Sequence, residues 1–110
     1  MALPNIGGGS QIGDGNVNET VMGVQATQQT ATSTATLTAA QITGGILVGN
    51  PSTTAATYTL PTATLIDATM TNAKTNSTFE LTVINIGTST GVVTMAVGTG
   101  ITAVGNLVVA

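Results

Sequence analysis

The sequence predicts a mainly β chain: a small antiparallel β-sandwich or open barrel with one short helix and an extended N-terminal arm. Three observations predict it. Apolar residues recur with a period of two in several stretches separated by Gly-containing turns, which is the pattern of half-buried strands. The composition is 42% hydrophobic but only 2% aromatic and 5% charged, so the interior must be aliphatic and threonine must serve as the default surface residue. Such β-branched side chains suit a pleated sheet. Finally, the first residues carry Gly7-Gly8-Gly9-Ser10 and Gly13-Asp14-Gly15 with no sustained period between them, the composition of a flexible or extended tether.

These features divide the 110 residues into an arm, 1–29, and a β-rich domain, 30–110. In the arm, Leu3, Ile6, Ile12 and Val17 are small apolar anchors suited to lying across a neighbour. From Thr30 to Thr38 the chain alternates strictly, with Thr30, Thr32, Thr34, Thr36 and Thr38 on one face, and reads as a strand. That rank is similar to the flat threonine arrays of ice-binding proteins but lacks the fixed-period repeats of a solenoid, so the ice-binding reading is set aside.

The apolar run Ile46-Leu47-Val48 precedes a turn at Asn50-Pro51, where proline pushes the residue before it out of the α region. Ala56, Tyr58 and Leu60 then alternate with threonines as a strand. Leu60-Pro61-Thr62 ends it and opens a helix, with Thr62 as cap and Leu65, Ile66, Met70 and Ala73 at roughly helical spacing, closed by Asn72 to Ser77.

The period of two returns with Phe79, Leu81 and Val83. Ile84 and Ile86 fall on the opposite face, which calls for a bulge or for cover on both sides. Gly87 to Gly91 reads as a hairpin loop leading to a strand with Val93, Met95 and Val97 on one face. Ile101–Val104 and Leu107–Val109 read as a last hairpin around Gly105-Asn106. The expected core is Ala56, Tyr58, Leu60, Leu65, Phe79, Leu81, Val83, Val93, Met95 and Val97. A well-buried Phe79 implies a cost of about 3–5 kcal/mol for Phe79→Ala.

The residues that are missing narrow the function. Lys74 is the sole basic residue in a chain of net charge −3, so phosphate neutralisation, and with it nucleic-acid binding, is not expected; nor is a basic membrane-surface role. The lack of histidine, cysteine and arginine removes most nucleophile–base pairs, together with thiolate chemistry, zinc sites and guanidinium clamps. The acids are Asp14, Glu19, Asp67 and Glu80; paired-carboxylate hydrolysis stays formally open, but Asp67 and Glu80 fall in different elements. Asp14 to Glu19 begins like a calcium loop but lacks the glycine and the final glutamate that pattern requires. The glycines of the arm lack the lysine of a phosphate-binding loop. No enzyme activity, cofactor or metal is expected.

The run Gly49-Asn50-Pro51, Ala55 to Ala63, Ile66-Asp67-Ala68, Asn72-Ala73-Lys74 and Phe79 to Asn85 resembles small structural proteins of tailed bacteriophages, particularly from aquatic hosts. Gly98-Thr99-Gly100 to Val104-Gly105-Asn106 looks like the same family, so the likeness spans about Leu37 to Ala110. It implies a virion component of the capsid decoration (cement) kind, bound outside the major capsid lattice and bridging neighbouring subunits, often as trimers. Its partners would be the major capsid protein and other copies of itself, with no nucleic acid and no membrane. Its place would be the outer capsid surface, after synthesis in the host cytoplasm.

Relatives in that family usually run on into a further hairpin with basic and aromatic residues. The sequence here ends at Val108-Val109-Ala110, so the likeness implies an open sheet edge, covered by another chain or belonging to a longer sequence. The expected contacts with neighbours are Leu3, Ile6, Ile12 and Val17 of the arm and the rank Thr30, Thr32, Thr34 and Thr36. The alternative is a tail, fibre or head-fibre module that binds a host surface, which calls for polar and aromatic residues around a pocket.

Overall fold

The computed structural model describes residues 23–110, together with the backbone of β1 (Asn5–Ile6) and β2 (Gly9–Ser10), which pair as an antiparallel ribbon. The other elements are β3 (Gln29–Ala31), β4 (Ala35–Thr36), α1 (Ala39–Thr43), β5 (Ile46–Gly49), β6 (Ala56–Thr59), α2 (Ala63–Thr69), β7 (Thr82–Asn85), β8 (Val93–Ala96) and β9 (Val108–Val109). Among the described residues the chain is therefore mainly β, with two short helices rather than the one expected.

Strand direction corrects the antiparallel expectation. From β3 to β8 no strand pairs with the next one in sequence, because β3, β5 and β7 build one sheet while β4, β6 and β8, with β9 beside β8, build a second. Every ladder in the first sheet is parallel, and in the second only β9 runs antiparallel, against β8. The chain climbs as three stacked rungs, each laying one strand in each sheet. Parallel neighbours need a crossover of a dozen or more residues, and here the returns from second sheet to first pass through α1 and α2. Among the described residues neither sheet closes on itself.

Both helices start for reasons visible in their first turns. The Thr38 hydroxyl accepts from Gln41 N–H at 3.2 Å while Gln41 Oε1 accepts from Thr38 N–H at 2.8 Å, a reciprocal capping box. Gln41 also donates to the Thr30 carbonyl at 2.9 Å, tying α1 to β3. Thr62 caps α2 as expected, accepting from Leu65 N–H at 3.3 Å, and the helix ends at Thr69.

The core lies between the two sheets. Leu47 of the first sheet meets Ala56, Tyr58 and Val93 of the second, with Leu37 and Ile42 closing the side toward α1. Gly49 leaves the space that the Tyr58 ring fills, since a Cβ there would stand 2.8 Å from Tyr58 Cε2. The Tyr58 hydroxyl donates between the carbonyls of Ala31, at 3.0 Å, and Thr32, at 2.9 Å. Leu60, Leu81, Val83 and Met95 pack against this cluster as expected.

Three expected core residues are displaced. Leu65 is 56% exposed, Phe79 44% and Val97 39%. Leu65 lies on the outward face of a helix too short to bury two faces, while Phe79 and Val97 lie just beyond the strands that would have carried them inward. Phe79→Ala should accordingly cost about 1 kcal/mol rather than the full burial value, read from the urea midpoint. No bulge interrupts β7: its even-numbered residues, including Ile84, face outward, and the exposed Ile86 follows in the same phase. Gly87 to Gly91 is a corner between sheets, not a hairpin loop. The last strand pairs with β8 and not with Ile101–Val104, which forms no strand.

Candidate functional site

Among the described residues β3 and β7 in the first sheet and β4 and β9 in the second each have one edge without a ladder partner, and β7 lies at the top of the stack. β7 is the last strand of the first sheet, and its neighbour β5 takes up one edge. Thr82 N–H donates to Gly45 C=O and Ile86 N–H to Gly49 C=O, both at 2.8 Å. Even-numbered residues thus turn their backbone groups toward β5, and Leu81, Val83 and Asn85 turn theirs away. Among the described residues nothing pairs with that outer edge. The second sheet differs at the same level, because β9 already covers β8.

Asn85 links the two sheets there. Its amide donates to Gly91 C=O at 2.8 Å and to Val109 C=O at 3.1 Å, while its carbonyl oxygen accepts from Gly87 N–H at 2.8 Å. An inward polar side chain is tolerated because each of its polar atoms has a partner. At the other end of β7 a concavity of ≈ 490 Å³ opens between α2 and the segment leading into the strand. Ala63, Ile66, Met70, Phe79 and Ile101 give it apolar walls, with Asp67 and Lys74 also lining it.

The outer faces of the sheets differ in chemistry. On the first sheet, register places Val48 beside Ile84 and Ile46 beside Thr82, so the face near the open edge is largely apolar. On the second, Thr36 lies beside Thr59 and Thr57 beside Thr94, a hydroxylated face.

The expected contact residues do not form one surface. Thr30, Thr32, Thr34 and Thr36 are all exposed, but the chain bends at Ser33-Thr34 and changes sheet, so the rank is broken. Thr30 lies in β3 and Thr36 in β4, in different sheets. Thr32 and Thr34 line a second concavity with Asn50, Pro51 and Ser52 at the corner between sheets. Thr34 also accepts from Thr57 N–H at 3.0 Å, which fixes the corner. Leu3, Ile12 and Val17, and the Asp14–Glu19 stretch, lie outside the described residues, as does the side chain of Ile6.

The apolar alternation of β7 is legible in the sequence, but the lack of a ladder partner on its outer edge among the described residues is not, since edge position depends on which strands neighbour it. Among the described residues no three acidic, histidine or cysteine side chains come together as a metal site, and no helix is long and apolar enough to cross a membrane. Comparison with known proteins finds no matching family model, curated protein or solved structure.

Proposed function

We propose that the protein is a viral capsid decoration (cement) protein that binds the outer surface of the major capsid lattice and stabilises the shell by bridging neighbouring subunits. The observation that carries this reading is the β7 edge, unpaired among the described residues, beside an apolar outer face, a surface suited to joining another polypeptide. The likeness of Leu37 to Ala110 to small virion proteins of tailed phages points the same way. So does a surface with a single cation, which is poorly suited to nucleic acid or an anionic membrane. The mechanism is adhesion: many copies on a symmetric shell supply avidity, so each contact can be weak. The role calls for no bond-making step.

The test uses mature shells stripped of this protein. The purified full chain should co-sediment with them saturably and raise the temperature at which they rupture. Shells that withstand heat equally well without it would exclude cementing. Antibody that decorates tails and leaves heads bare would instead favour a host-binding tail or fibre module.

A further inference from the structure

We infer that β9 is a detachable clasp: it closes the second sheet over β8, is held shut by the Asn85 amide, and opens while the stacked rungs stay folded. The inference concerns this chain alone and does not rest on the cementing reading.

The clasp has a fixed root and a loose link. At the root, Ala63 N–H donates to Thr99 C=O at 3.0 Å and Ile101 N–H to Gly98 C=O at 3.2 Å, and Ile101 lines the concavity beside α2. The chain leaving β8 is thus tied to the helix before it turns toward β9. From Thr102 to Asn106 every residue is exposed. Gly105 takes φ +102° there, a conformation open to glycine, and a Cβ on it would meet nothing within 4 Å. This link can swing without drawing out a buried side chain.

The closure is light. β9 has two residues, of which Val108 is 49% exposed and Val109 half-buried. It is held by its short ladder with β8, extended by Met95 N–H donating to Leu107 C=O at 2.8 Å, and by the Asn85 amide donating to Val109 C=O at 3.1 Å. Asn85 belongs to the first sheet, so its bond crosses to the second and acts as the catch. β4 is equally short but better anchored: Leu37, which follows it, is buried, donates its N–H to Thr59 C=O at 2.8 Å and leads into the capped α1. β3 is pinned by the Gln41 amide on Thr30 C=O and by Asn50 N–H on Ala31 C=O. Segments with few buried contacts and exposed links open at free energies well below that of the whole fold. Among β3 to β9, β9 alone fits that description. Its opening frees one edge of β8 beside the outer edge of β7, which has no ladder partner among the described residues. The fold thus has two forms, one with the second sheet capped and one with both sheets ending in an unpaired strand.

The experiment is amide hydrogen exchange on the full chain under native conditions, with urea raised in steps below the unfolding transition. β8 supplies its own control. Ala56 N–H donates to Val92 C=O and Leu60 N–H to Ala96 C=O, so even-numbered residues there face β6, whereas Met95 N–H faces the β9 side. Met95 should exchange roughly tenfold or more faster than Thr94 and Ala96, with little dependence on urea because little surface opens. Asn85→Ala removes the catch and should speed Met95 by about fivefold, the worth of one hydrogen bond. Its bonds to Gly91 and Gly87 persist when β9 is open, so their loss does not add to that figure. Val109→Ala, which leaves Asn85 in place, should also speed Met95. Tyr58→Phe weakens the rungs and not the clasp, so it should speed Thr94 and Ala96 and leave Met95 unchanged.

Met95 exchanging at the rate and with the urea dependence of Thr94, or quickening with it in Tyr58→Phe, would mean that β9 opens only when the whole fold does, and would overturn the clasp. Met95 unmoved by Asn85→Ala would overturn Asn85 as its catch.

Discussion

Tyr58→Ala should cost about 3–5 kcal/mol, the range for deleting a large buried ring, and so consume much of a small domain's stability. Tyr58 is the largest fully buried side chain among the described residues. Its ring fills the space that Gly49 leaves open, and its hydroxyl answers two carbonyls at the corner of the first rung. Removing it opens a cavity and strips Ala31 and Thr32 of a donor at once. A urea midpoint equal to that of the wild type would mean that the two sheets do not meet across this ring.

Tyr58→Phe separates the two contributions. It keeps the ring and should cost about 1–2 kcal/mol for the lost hydrogen bond. Burial holds the Tyr58 phenol above its ordinary value of 10.0, because the site disfavours the phenolate. The folded chain therefore keeps the proton that the unfolded chain releases. This contribution is fully present below the ordinary value and is lost as pH rises through the folded value. Stability measured on the alkaline side should fall in the wild type and fall less steeply in Tyr58→Phe.

What the sequence reveals and what it hides follow from how far each signal reaches along the chain. The strand around Tyr58, the cap at Thr62 and the core roles of Val83 and Val93 depend on neighbours within a few residues, and all appear in the structure. The stacked parallel rungs depend on pairing distance, and there the steps are unequal. Gln29 pairs with Leu47, eighteen residues on, whereas Ile46 pairs with Thr82, thirty-six residues on. No fixed period results, so the repeat that would reveal stacking is invisible.

The Gly-containing corners add to the disguise, because a turn between two sheets has the same residues as a turn within a hairpin. α1 was hidden for a different reason. Its five residues are too few to show a helical period, although Thr38 and Gln41 stand at capping-box spacing. The outer edge of β7, unpaired among the described residues and the feature on which the proposed function turns, is a property of the order of strands and is written in no local pattern.

Those corners give the second large effect. Gly91→Ala should destabilise the protein by about 3 kcal/mol, at the upper end of the usual overpacking cost, because its neighbour is backbone and cannot step aside. A Cβ at Gly91 would stand 2.1 Å from the carbonyl oxygen of Ser52 in the corner below. That same oxygen accepts from Thr88 N–H at 2.8 Å, and beside it the Thr90 hydroxyl donates to Thr53 C=O at 2.6 Å. Relieving the clash means lifting the third rung off the second, which breaks both bonds. The lift would also strain the Asn85 amide, which holds Gly91 C=O at 2.8 Å and positions the end of β7. Gly23→Ala is the control, since a Cβ there meets nothing within 4 Å, and it should change stability by less than about 0.5 kcal/mol. If the two variants unfold at the same urea concentration, the corners are not stacked backbone on backbone. If Gly91→Ala alone is destabilised and also binds shells more weakly at a temperature where it remains folded, the rung that carries β7 is the part that meets the partner.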